Sequence, residues 1–462
     1  MKANKTQLKN SSLQAARWIG VAIATLGLVT TAELCFAVAR AGQQPSVNVS
    51  AQQISNPAVP AATPESTPPP AAQQREQPAN GPPTLRPSPT ISGAPTSTGQ
   101  AFVFPQLNDR EIVVTAVGDV MLGTTFPDET GGLLPPSDGA DLLQQVAPIL
   151  KRGDVVFGNL EGPLADGVGT SLKCRGKAPG HCYAFRVPTR YGALLKAAGF
   201  TVMGLANNHA MDFGQEGRDS SRQTLEAQGI AHTGEIGDIA HLAIKGERVA
   251  VIAFATYPGA YNLLDLDDAL AAIRQAKVDS DLVIVSFHGG GEGATHQHVL
   301  EGDEMFLGED RGDLRRFTHA AIDAGAGLVL GSGPHVVRGM EIYQGKLIAY
   351  SLGNFATYGP FNLSAENGIS LILEAHLAPD GSFLSGQVYP IKQEKPGGPK
   401  LDPTMAIVPI LRNLSLEDFI TNAVVVGPRG ELWAPGLQLP ACANAPDMLN
   451  AVIGTRPCGI YP

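Results

Sequence analysis

The stretch IVVTAVGD at residues 112–119 decides the fold prediction. Its apolar, β-branched residues are typical of a buried strand, which ends in Gly118 and Asp119. Further short apolar runs alternate with helical patterns along the chain, so the spacing predicts βα units and an α/β fold. The predicted strands are 112–117, 155–157, 201–205, 249–255, 282–287, 327–330 and 347–351, and the predicted helices are 141–151, 190–198, 218–228 and 313–324.

Polar residues follow several of these strands directly. In open α/β sheets, the loops at the carboxyl ends of the strands border a common crevice in which ligands bind. We therefore expect the polar segments to converge on one site. They are Gly118-Asp119, Gly158-Asn159-Leu160-Glu161, Ala206-Asn207-Asn208-His209, His288 and Gly331-Ser332-Gly333-Pro334-His335.

Asp119, Asn159 and Glu161 are candidate metal ligands, because carboxylate and carboxamide oxygens at a strand end suit a divalent ion. Asn159 and Glu161 stand two residues apart and face the same side if the chain stays extended. Each carboxylate has an ordinary alternative. Asp119 can cap a turn or a helix, and Glu161 can be an exposed loop carboxylate.

The segment Asn207-Asn208-His209, followed by Asp212, is the strongest indication of chemistry. Two carboxamides and an imidazole directly after an apolar strand are hard to explain by packing. One asparagine can cap the next helix, whereas the other can coordinate a metal through its carbonyl oxygen. His209 can donate a proton to a leaving group, and Asp212 can orient its imidazole.

His288 and His335 complete an expected set of nitrogen and oxygen ligands. His288 ends a strand and opens Gly289-Gly290-Gly291-Glu292, a loop whose lack of bulk leaves room for a substrate. A single histidine at a strand end is usually just a satisfied polar residue. Two histidines that converge with Asp119 and Asn208 favour a metal site.

Composition restricts the class of partner and reaction. The chain has 462 residues, of which 43% are hydrophobic and 16% charged, and its formal net charge is −10. It can therefore bury one large core and carries no basic surface for nucleic acid. The sequence contains no Gly-x-Ser-x-Gly elbow, no phosphate-binding Gly-x-x-x-x-Gly-Lys-Ser/Thr loop and no His-Glu-x-x-His helix, which disfavours a serine hydrolase, a nucleotide-driven ligase and a zincin.

The two ends of the chain differ from its middle. Residues 1–41 combine basic residues, a short apolar stretch and small residues, so a cleaved signal peptide is predicted, with an uncleaved anchor as the alternative. Residues 42–107, rich in Pro, Ala, Ser and Thr, are expected to form a disordered linker. The folded domain is predicted at 108–385, and 386–462 is expected to pack as an irregular extension. The protein is then exported, to a periplasmic or other extracytoplasmic location.

Cysteine usage agrees with export. With Cys35 set aside, the cysteines form two local pairs, Cys174 with Cys182 and Cys442 with Cys458. Both pairs are candidate disulfides in an oxidising compartment. The alternative, a metal site, needs clustered pairs at shorter spacing.

Taken in order, the motifs resemble those of the CapA-type family of poly-γ-glutamate capsule-synthesis proteins, over most of residues 111–355. The resemblance implies a fold similar to that of calcineurin-like metallophosphatases, a four-layer α/β/β/α sandwich with a metal site at the strand ends. The motifs that carry it are AVGDVML (116–122), GNLEGP (158–163), NNHAMDFG (207–214), SFH (286–288) with Glu292, and PHV (334–336) followed by YSLGNF (350–355).

The resemblance also implies roles for single residues. One or two divalent ions, of Mn, Fe, Zn or Mg, are expected. His209 would act as acid or transition-state stabiliser together with Asp212. The metal-facing residues would be Asp119, Asn159, Glu161, Asn208, His288 and His335, and the substrate-facing residues would be Asn207, Glu292 and Asn354.

The chain departs from the family pattern at Gly289, where family members often carry tryptophan, and at Ser332 and Gly333, where they often carry one or two histidines. Met121 stands where related metallophosphatases carry the histidine of an Asp-x-His motif. One metal, a weakly held pair and no metal therefore all stay open.

The implied function is the synthesis or export of an anionic envelope polymer, by a metal-dependent hydrolase or transferase. The alternative is a non-catalytic polymer-binding or scaffold protein on the same fold. The expected partners are the polymer or its precursor and membrane-bound polymer synthase subunits, without nucleic acid.

Overall fold

The computed structural model describes residues 110–127, 133–167, 169, 171–176, 182–359 and 361–436. The predicted signal segment 1–41, the predicted linker 42–107 and the pair Cys442 and Cys458 lie outside the described residues, so the predictions made for them stay predictions. In the part of the chain that is described, no helix has both the length and the apolar character needed to cross a membrane.

The described residues form six α-helices and nineteen strands, each numbered in chain order. The helices are α1 (Ala147–Leu150), α2 (Gly192–Ala198), α3 (Gly214–Ala227), α4 (Leu266–Val278), α5 (Leu314–Asp323) and α6 (Ile407–Phe419). The strands are β1 (Ile112–Met121), β2 (Val155–Leu160), β3 (Val202–Gly204), β4 (Ala231–Thr233), β5 (Ala240–Ile244), β6 (Glu247–Ala255), β7 (Tyr261–Asn262), β8 (Leu282–His288), β9 (Met305–Phe306), β10 (Glu309–Asp310), β11 (Leu328–Ser332), β12 (Met340–Tyr343), β13 (Lys346–Ala349), β14 (Asn354–Thr357), β15 (Ile369–Leu377), β16 (Phe383–Lys392), β17 (Lys400–Leu401), β18 (Val425–Val426) and β19 (Glu431–Trp433).

Two large mixed sheets organise the fold. The first has the order β18-β19-β16-β15-β1-β2-β3-β4, with β14 beside β1 and β17 beside β16. Strands β1 to β4 run parallel, whereas β15 and β16 run antiparallel to their neighbours. The second has the order β12-β13-β11-β8-β6-β5, with β7 beside β6 and a parallel centre of β6, β8, β11 and β13. Strands β9 and β10 form a separate hairpin.

The alternation of side chains along the strands explains the layering. Val114 of β1 and Val251 of β6 pack in one core between the two sheets. On the outer faces, Val156 of β2 packs in a cluster with residues of α1, α2 and α3, and Val283 of β8 in a cluster with residues of α4 and α5. Successive residues of a strand face opposite sides of its sheet, so each sheet is covered on both faces. The predicted four-layer α/β/β/α sandwich is confirmed.

The predicted strands all coincide with strands of the structure, but the helices are less regular. The predicted helix 141–151 is α-helical only at Ala147–Leu150, and the helix Leu266–Val278 was not predicted. Asp265 begins the latter by accepting a hydrogen bond from the backbone N–H of Asp268. This cap carries a sequence signal, namely an aspartate before an apolar repeat.

The predicted domain boundary at residue 385 falls inside β16 (Phe383–Lys392). Beyond it, β17, β18 and β19 extend the first sheet, and α6 packs Ile407 and Leu411 into the core between the sheets. As far as residue 436, regular elements of the domain therefore occupy the segment for which an irregular extension was expected. Strands of two or three residues between prolines and glycines carry little periodic signal. Residues 437–462 lie outside the described part.

Candidate functional site

The polar segments at the carboxyl ends of β1, β2, β3, β8 and β11 meet in one cluster of mostly buried side chains, which we call the site cluster. On one side of the site cluster, contacts between β1 and the loop before β14 fix the position of Asp119. A Cβ on Gly118 would lie 1.9 Å from the carbonyl oxygen of Gly353, and that oxygen accepts a hydrogen bond of 3.0 Å from Asp119 N–H. The members of the site cluster are Asp119, Asn159, Glu161, Asn207, Asn208, His209, Asp212, His288, His335 and Asn354.

Glu161 lies among three imidazoles and is fully buried. Its Oε1 is 3.8 Å from Nε2 of His288, 3.8 Å from Nε2 of His335 and 4.0 Å from Nε2 of His209. Neither oxygen of Glu161 has a hydrogen-bond partner among the described residues, and the same is true of Nε2 of His288. Buried polar atoms are normally paired, so these atoms point to a further ligand.

Asp119 and Asn354 hold His335 in place. Nδ1 of His335 is 2.9 Å from Oδ2 of Asp119 and 3.1 Å from Oδ1 of Asn354. The backbone of His335 has a φ of 60°, which a residue with a side chain rarely adopts. This conformation is typical of functional sites and leaves Nε2 on the side of Glu161.

Asn159 and Asn207 form a hydrogen-bonded link between the strands. Nδ2 of Asn159 donates to Oδ1 of Asp119 at 2.8 Å, and Oδ1 of Asn159 accepts from Nδ2 of Asn207 at 2.9 Å. Oδ1 of Asn207 in turn accepts from the backbone N–H of His209 at 3.1 Å. In this arrangement the carboxamide oxygen of Asn159 is engaged by Asn207, so Asn159 orients Asp119. Oδ1 of Asn208, by contrast, has no partner among the described residues.

His209 and Asp212 form the pair that their spacing predicts. Nδ1 of His209 is 2.7 Å from Oδ2 of Asp212, and the backbone N–H of Phe185 donates to the same oxygen at 2.8 Å. Burial lowers the pKa of His209, although Asp212 favours its charged form. Nε2 remains as the atom of the ring that faces Glu161.

The electrostatics of the site cluster favour a cation. Burial, together with the neighbouring Asp119 carboxylate, raises the pKa of Glu161 well above its usual range. Burial, helped by the charge of Arg311, holds the pKa of His288 well below its usual value. Burial opposes the charged form of His335 as well, but Glu161 and Asp119 outweigh it and raise its pKa to about 10.

The residues present fit a divalent ion. One ligand atom each from Asp119, Glu161 and His288 can be chosen so that all three lie within 4.8 Å of one another. Carboxylate oxygen and imidazole nitrogen are the donor types that Mn, Fe and Zn accept. The unpaired oxygens of Glu161 and the unpaired Nε2 of His288 are the observation on which this fit rests.

A cavity of about 520 Å³ adjoins the site cluster. Asn207, Asn208 and Asp212 form part of its lining, and so does Glu292, one of the residues predicted to face substrate. Asn354 does not belong to this lining. It is buried, and its Nδ2 donates to a backbone carbonyl oxygen while its Oδ1 contacts His335.

One close neighbour of His209 escaped the sequence reasoning. Nζ of Lys173 lies 3.1 Å from the carbonyl oxygen of Asn208 and 3.1 Å from Nδ1 of His209. Lys173 directly precedes Cys174, which forms a disulfide with Cys182, so the cysteine pair was the available signal. Oγ of Ser332, at a position where family members often carry histidine, is 3.3 Å from Nδ1 of His288.

Comparisons with known proteins agree with these motifs. The profile of the family described as "Bacterial capsule synthesis protein PGA_cap" matches residues 113–358. The "PGA biosynthesis protein CapA" of Bacillus subtilis (strain 168) is 28% identical over 295 residues, which cover 60% of this chain and 70% of that protein. The "Capsule biosynthesis protein CapA" of Bacillus anthracis is 26% identical over 314 residues, which cover 63% of this chain and 70% of that protein.

Among solved structures, a calcineurin-like phosphoesterase from Bacillus subtilis aligns with 63% of this chain and 90% of its own, at 11% identity and a TM-score of 0.35. A likeness at this score carries no argument about activity. The family profile spans more than half of the sequence and includes the motif segments that build the site cluster, which confirms the resemblance predicted from them. The chain therefore belongs to the family of bacterial capsule synthesis proteins, PGA_cap.

Proposed function

We propose that the protein is a metal-dependent hydrolase or transferase that acts on an anionic polymer of the cell envelope, of the poly-γ-glutamate type. One observation carries the enzymatic part of the proposal. The unpaired, buried atoms of Glu161 and His288 lie in the site cluster that adjoins a cavity large enough for a segment of polymer. The name of the Bacillus subtilis relative supports the choice of polymer, and that of the Bacillus anthracis relative supports a role in capsule synthesis.

The residues of the chain divide into three tasks in this proposal. Asp119, Glu161, Asn208, His288 and His335 would hold the metal, with Asn159 orienting Asp119. A bound divalent ion lowers the pKa of a coordinated water and polarises the bond to be cleaved.

His209 and Asp212 move the proton. The hydrogen bond to Asp212 fixes the orientation of the imidazole, so that Nε2 of protonated His209 can deliver a proton to a leaving group. Because burial lowers the pKa of His209, the protonated ring gives up its proton readily. Asn207 and Glu292 line the cavity in which substrate would lie.

The proposal includes an extracytoplasmic location and, as partners, the polymer or its precursor and the membrane-bound subunits that synthesise it. The family membership supports an association with the envelope. Secretion by residues 1–41, and their cleavage or retention as an anchor, belong to the same proposal.

Metal content and turnover test the proposal together. The purified protein should hold metal and hydrolyse poly-γ-glutamate or a generic phosphodiester. Asp119→Ala should lose both metal and turnover, because it removes a ligand and the partner of His335. His209→Ala should keep its metal and lose about 100-fold or more in turnover, as expected for a general acid.

His298→Ala is a matched control, because His298 is 53% exposed and pairs with Asp418 outside the site cluster. It should behave as the wild type. A wild-type protein that holds no metal and turns over nothing, yet binds polymer as well as the Asp119→Ala and His209→Ala variants do, would instead support a non-catalytic polymer-binding protein. Ser332 beside His288, in place of a further imidazole, is the observation that favours this second candidate.

A further inference from the structure

Arg311 carries unpaired donors in the wall of the cavity. It follows β10, lines the cavity and is only 2% exposed. Its Nη1 donates to Oε1 of Glu292 at 2.8 Å, but Nε and Nη2 donate no hydrogen bond within the described part of the chain. A guanidinium stays charged at any physiological pH, so two buried N–H groups without acceptors cost free energy that an arriving acceptor would recover.

The surroundings of Arg311 orient its free edge. The Cζ atom lies 5.7 Å from the ring centroid of Tyr257 and 5.9 Å from that of Phe306, so both rings contact the cation. Glu292 accepts the hydrogen bond from Nη1, so the edge formed by Nε and Nη2 stays without an acceptor among the described residues. The two N–H groups on this edge are parallel, and they match the two oxygens of a carboxylate or of a phosphate.

Arg311 stands next to the site cluster. Its carbonyl oxygen accepts from the backbone N–H of Gly290, two residues after His288. The ring of Tyr257, which contacts the guanidinium, has its centroid 6.3 Å from that of His288. A ligand held by Arg311 would therefore be positioned at the border of the proposed metal site.

The charges around the cavity favour a single, directly bonded carboxylate over a general attraction for polyanions. Glu292 and Glu309 line the same cavity as Arg311 and repel anions that approach without a hydrogen-bonded contact. Among the described residues, two further cations line the cavity, Lys173, which is 31% exposed, and Arg218, which pairs with Glu235.

We propose that Arg311 recognises substrate by binding the free carboxylate of a γ-linked glutamate unit side-on through Nε and Nη2. The choice of polymer rests on the proposed function, whereas the preference for an oxyanion that presents two oxygens follows from the guanidinium edge. Because both atoms are covered by protein, the carboxylate reaches them when part of the wall moves. The β9–β10 hairpin, which carries Phe306 over the guanidinium and Leu307 at 88% exposure, is the element that opens.

Binding measurements on the full chain test this inference. Calorimetry is performed with an oligomer of γ-linked glutamate, with its neutral γ-linked glutamine counterpart and with inorganic phosphate. The wild type should bind the glutamate oligomer about 10- to 100-fold more tightly than the glutamine oligomer, the loss expected when a charge-assisted pair is removed. Phosphate should compete only weakly. Phosphate that displaces the glutamate oligomer at equal concentration would identify a phosphate site and overturn the proposal.

Variants assign the preference to the guanidinium. Arg311→Lys keeps the positive charge and loses the guanidinium edge formed by Nε and Nη2, whereas Arg311→Gln loses both. Each variant should therefore bind the two oligomers almost equally. Arg316→Lys, an exposed arginine on α5, is the matched control and should retain the preference. Undiminished discrimination in Arg311→Lys would overturn the proposal.

Metal content separates this inference from the proposed function. Arg311→Lys should contain as much metal as the wild type, because it keeps the positive charge beside the site cluster, and should show a raised KM for the glutamate oligomer. A wild type without metal or turnover would contradict the proposed function, and the preference between the two oligomers would still report on Arg311.

Discussion

Glu161 and Arg311 share one property at the scale of single residues, although their charges are opposite. Each is buried and keeps polar atoms that no described residue pairs. Burial of an unpaired charged group is strongly unfavourable, so a fold retains such groups where a ligand completes them. The carboxylate fits a metal ion and the guanidinium fits an oxyanion. Arg311 lines the cavity that adjoins the site cluster to which Glu161 belongs.

Gly118 is a residue whose backbone contact should limit substitution. Gly118→Ala would place a methyl carbon 1.9 Å from the carbonyl oxygen of Gly353, so β1 and the loop before β14 must separate. We expect a loss of about 2–3 kcal/mol or more in the free energy of unfolding, the usual cost of overpacking, measured by urea denaturation.

Gly169→Ala serves as the control for Gly118→Ala, because no heavy atom of the described residues lies within 4 Å of a Cβ at Gly169. Its unfolding free energy should stay within about 0.5 kcal/mol of the wild type. Equal stability of the two variants would contradict the close approach at Gly118.

At the scale of elements, β1 and β15 are joined by more than their backbone ladder. His376 of β15 hydrogen-bonds to Glu111, just before β1, and contacts Glu374 on its own strand at 3.1 Å. Burial opposes the charged form of His376, but these two carboxylates outweigh it and raise its pKa to about 9. The charged imidazole therefore stabilises the centre of the first sheet.

The raised pKa of His376 predicts how stability depends on pH. Because its pKa is above that of an unfolded histidine, about 6.5, the contribution is complete below that pH and is lost as pH rises through about 9. Its size is about 2 kcal/mol, allowing for partial exposure of the side chain.

The measurement compares the free energy of unfolding at pH 6, 8 and 10. His376→Gln should remove the part of the decrease between neutral pH and pH 10 that the wild type shows. His241→Gln, an exposed histidine on β5, should leave that decrease unchanged. A wild-type pH dependence that survives in His376→Gln would assign it to other groups.

At the scale of the whole molecule, the two sheets and α6 form one core. Leu411 of α6 is fully buried between the sheets together with residues of β1 and β11. The described part of the segment after residue 385 is therefore needed to close the core, and the site cluster depends on it through the sheets.

Leu411→Ala should lower the free energy of unfolding by about 2–5 kcal/mol, since it removes a buried side chain and leaves a cavity. Leu416→Ala, on the same helix and 53% exposed, should cost less than about 1 kcal/mol. Thermal unfolding of the two variants measures the difference. If Leu411→Ala were as stable as Leu416→Ala, α6 would not belong to the core.

The sequence by itself determined the strands, their polar ends and the family, because these depend on neighbouring residues and on the order of motifs. Apolar runs such as 112–117 predict buried strands by their local pattern. The pairing of His209 with Asp212 is equally local, since the residues stand within one turn of chain. Such features need no knowledge of distant segments.

Only the tertiary structure decided which distant side chains meet. Asp119 and His335 are 216 residues apart in the sequence, yet Oδ2 of Asp119 lies 2.9 Å from Nδ1 of His335. Asn354 contacts the same Nδ1 of His335 and does not line the cavity. Arg311 stands in a charged loop that carries no motif, and its role depends on Glu292 and on the ring of Tyr257. Contacts of this kind depend on how the two sheets stack, which is a property of the whole chain and is not encoded in any short pattern.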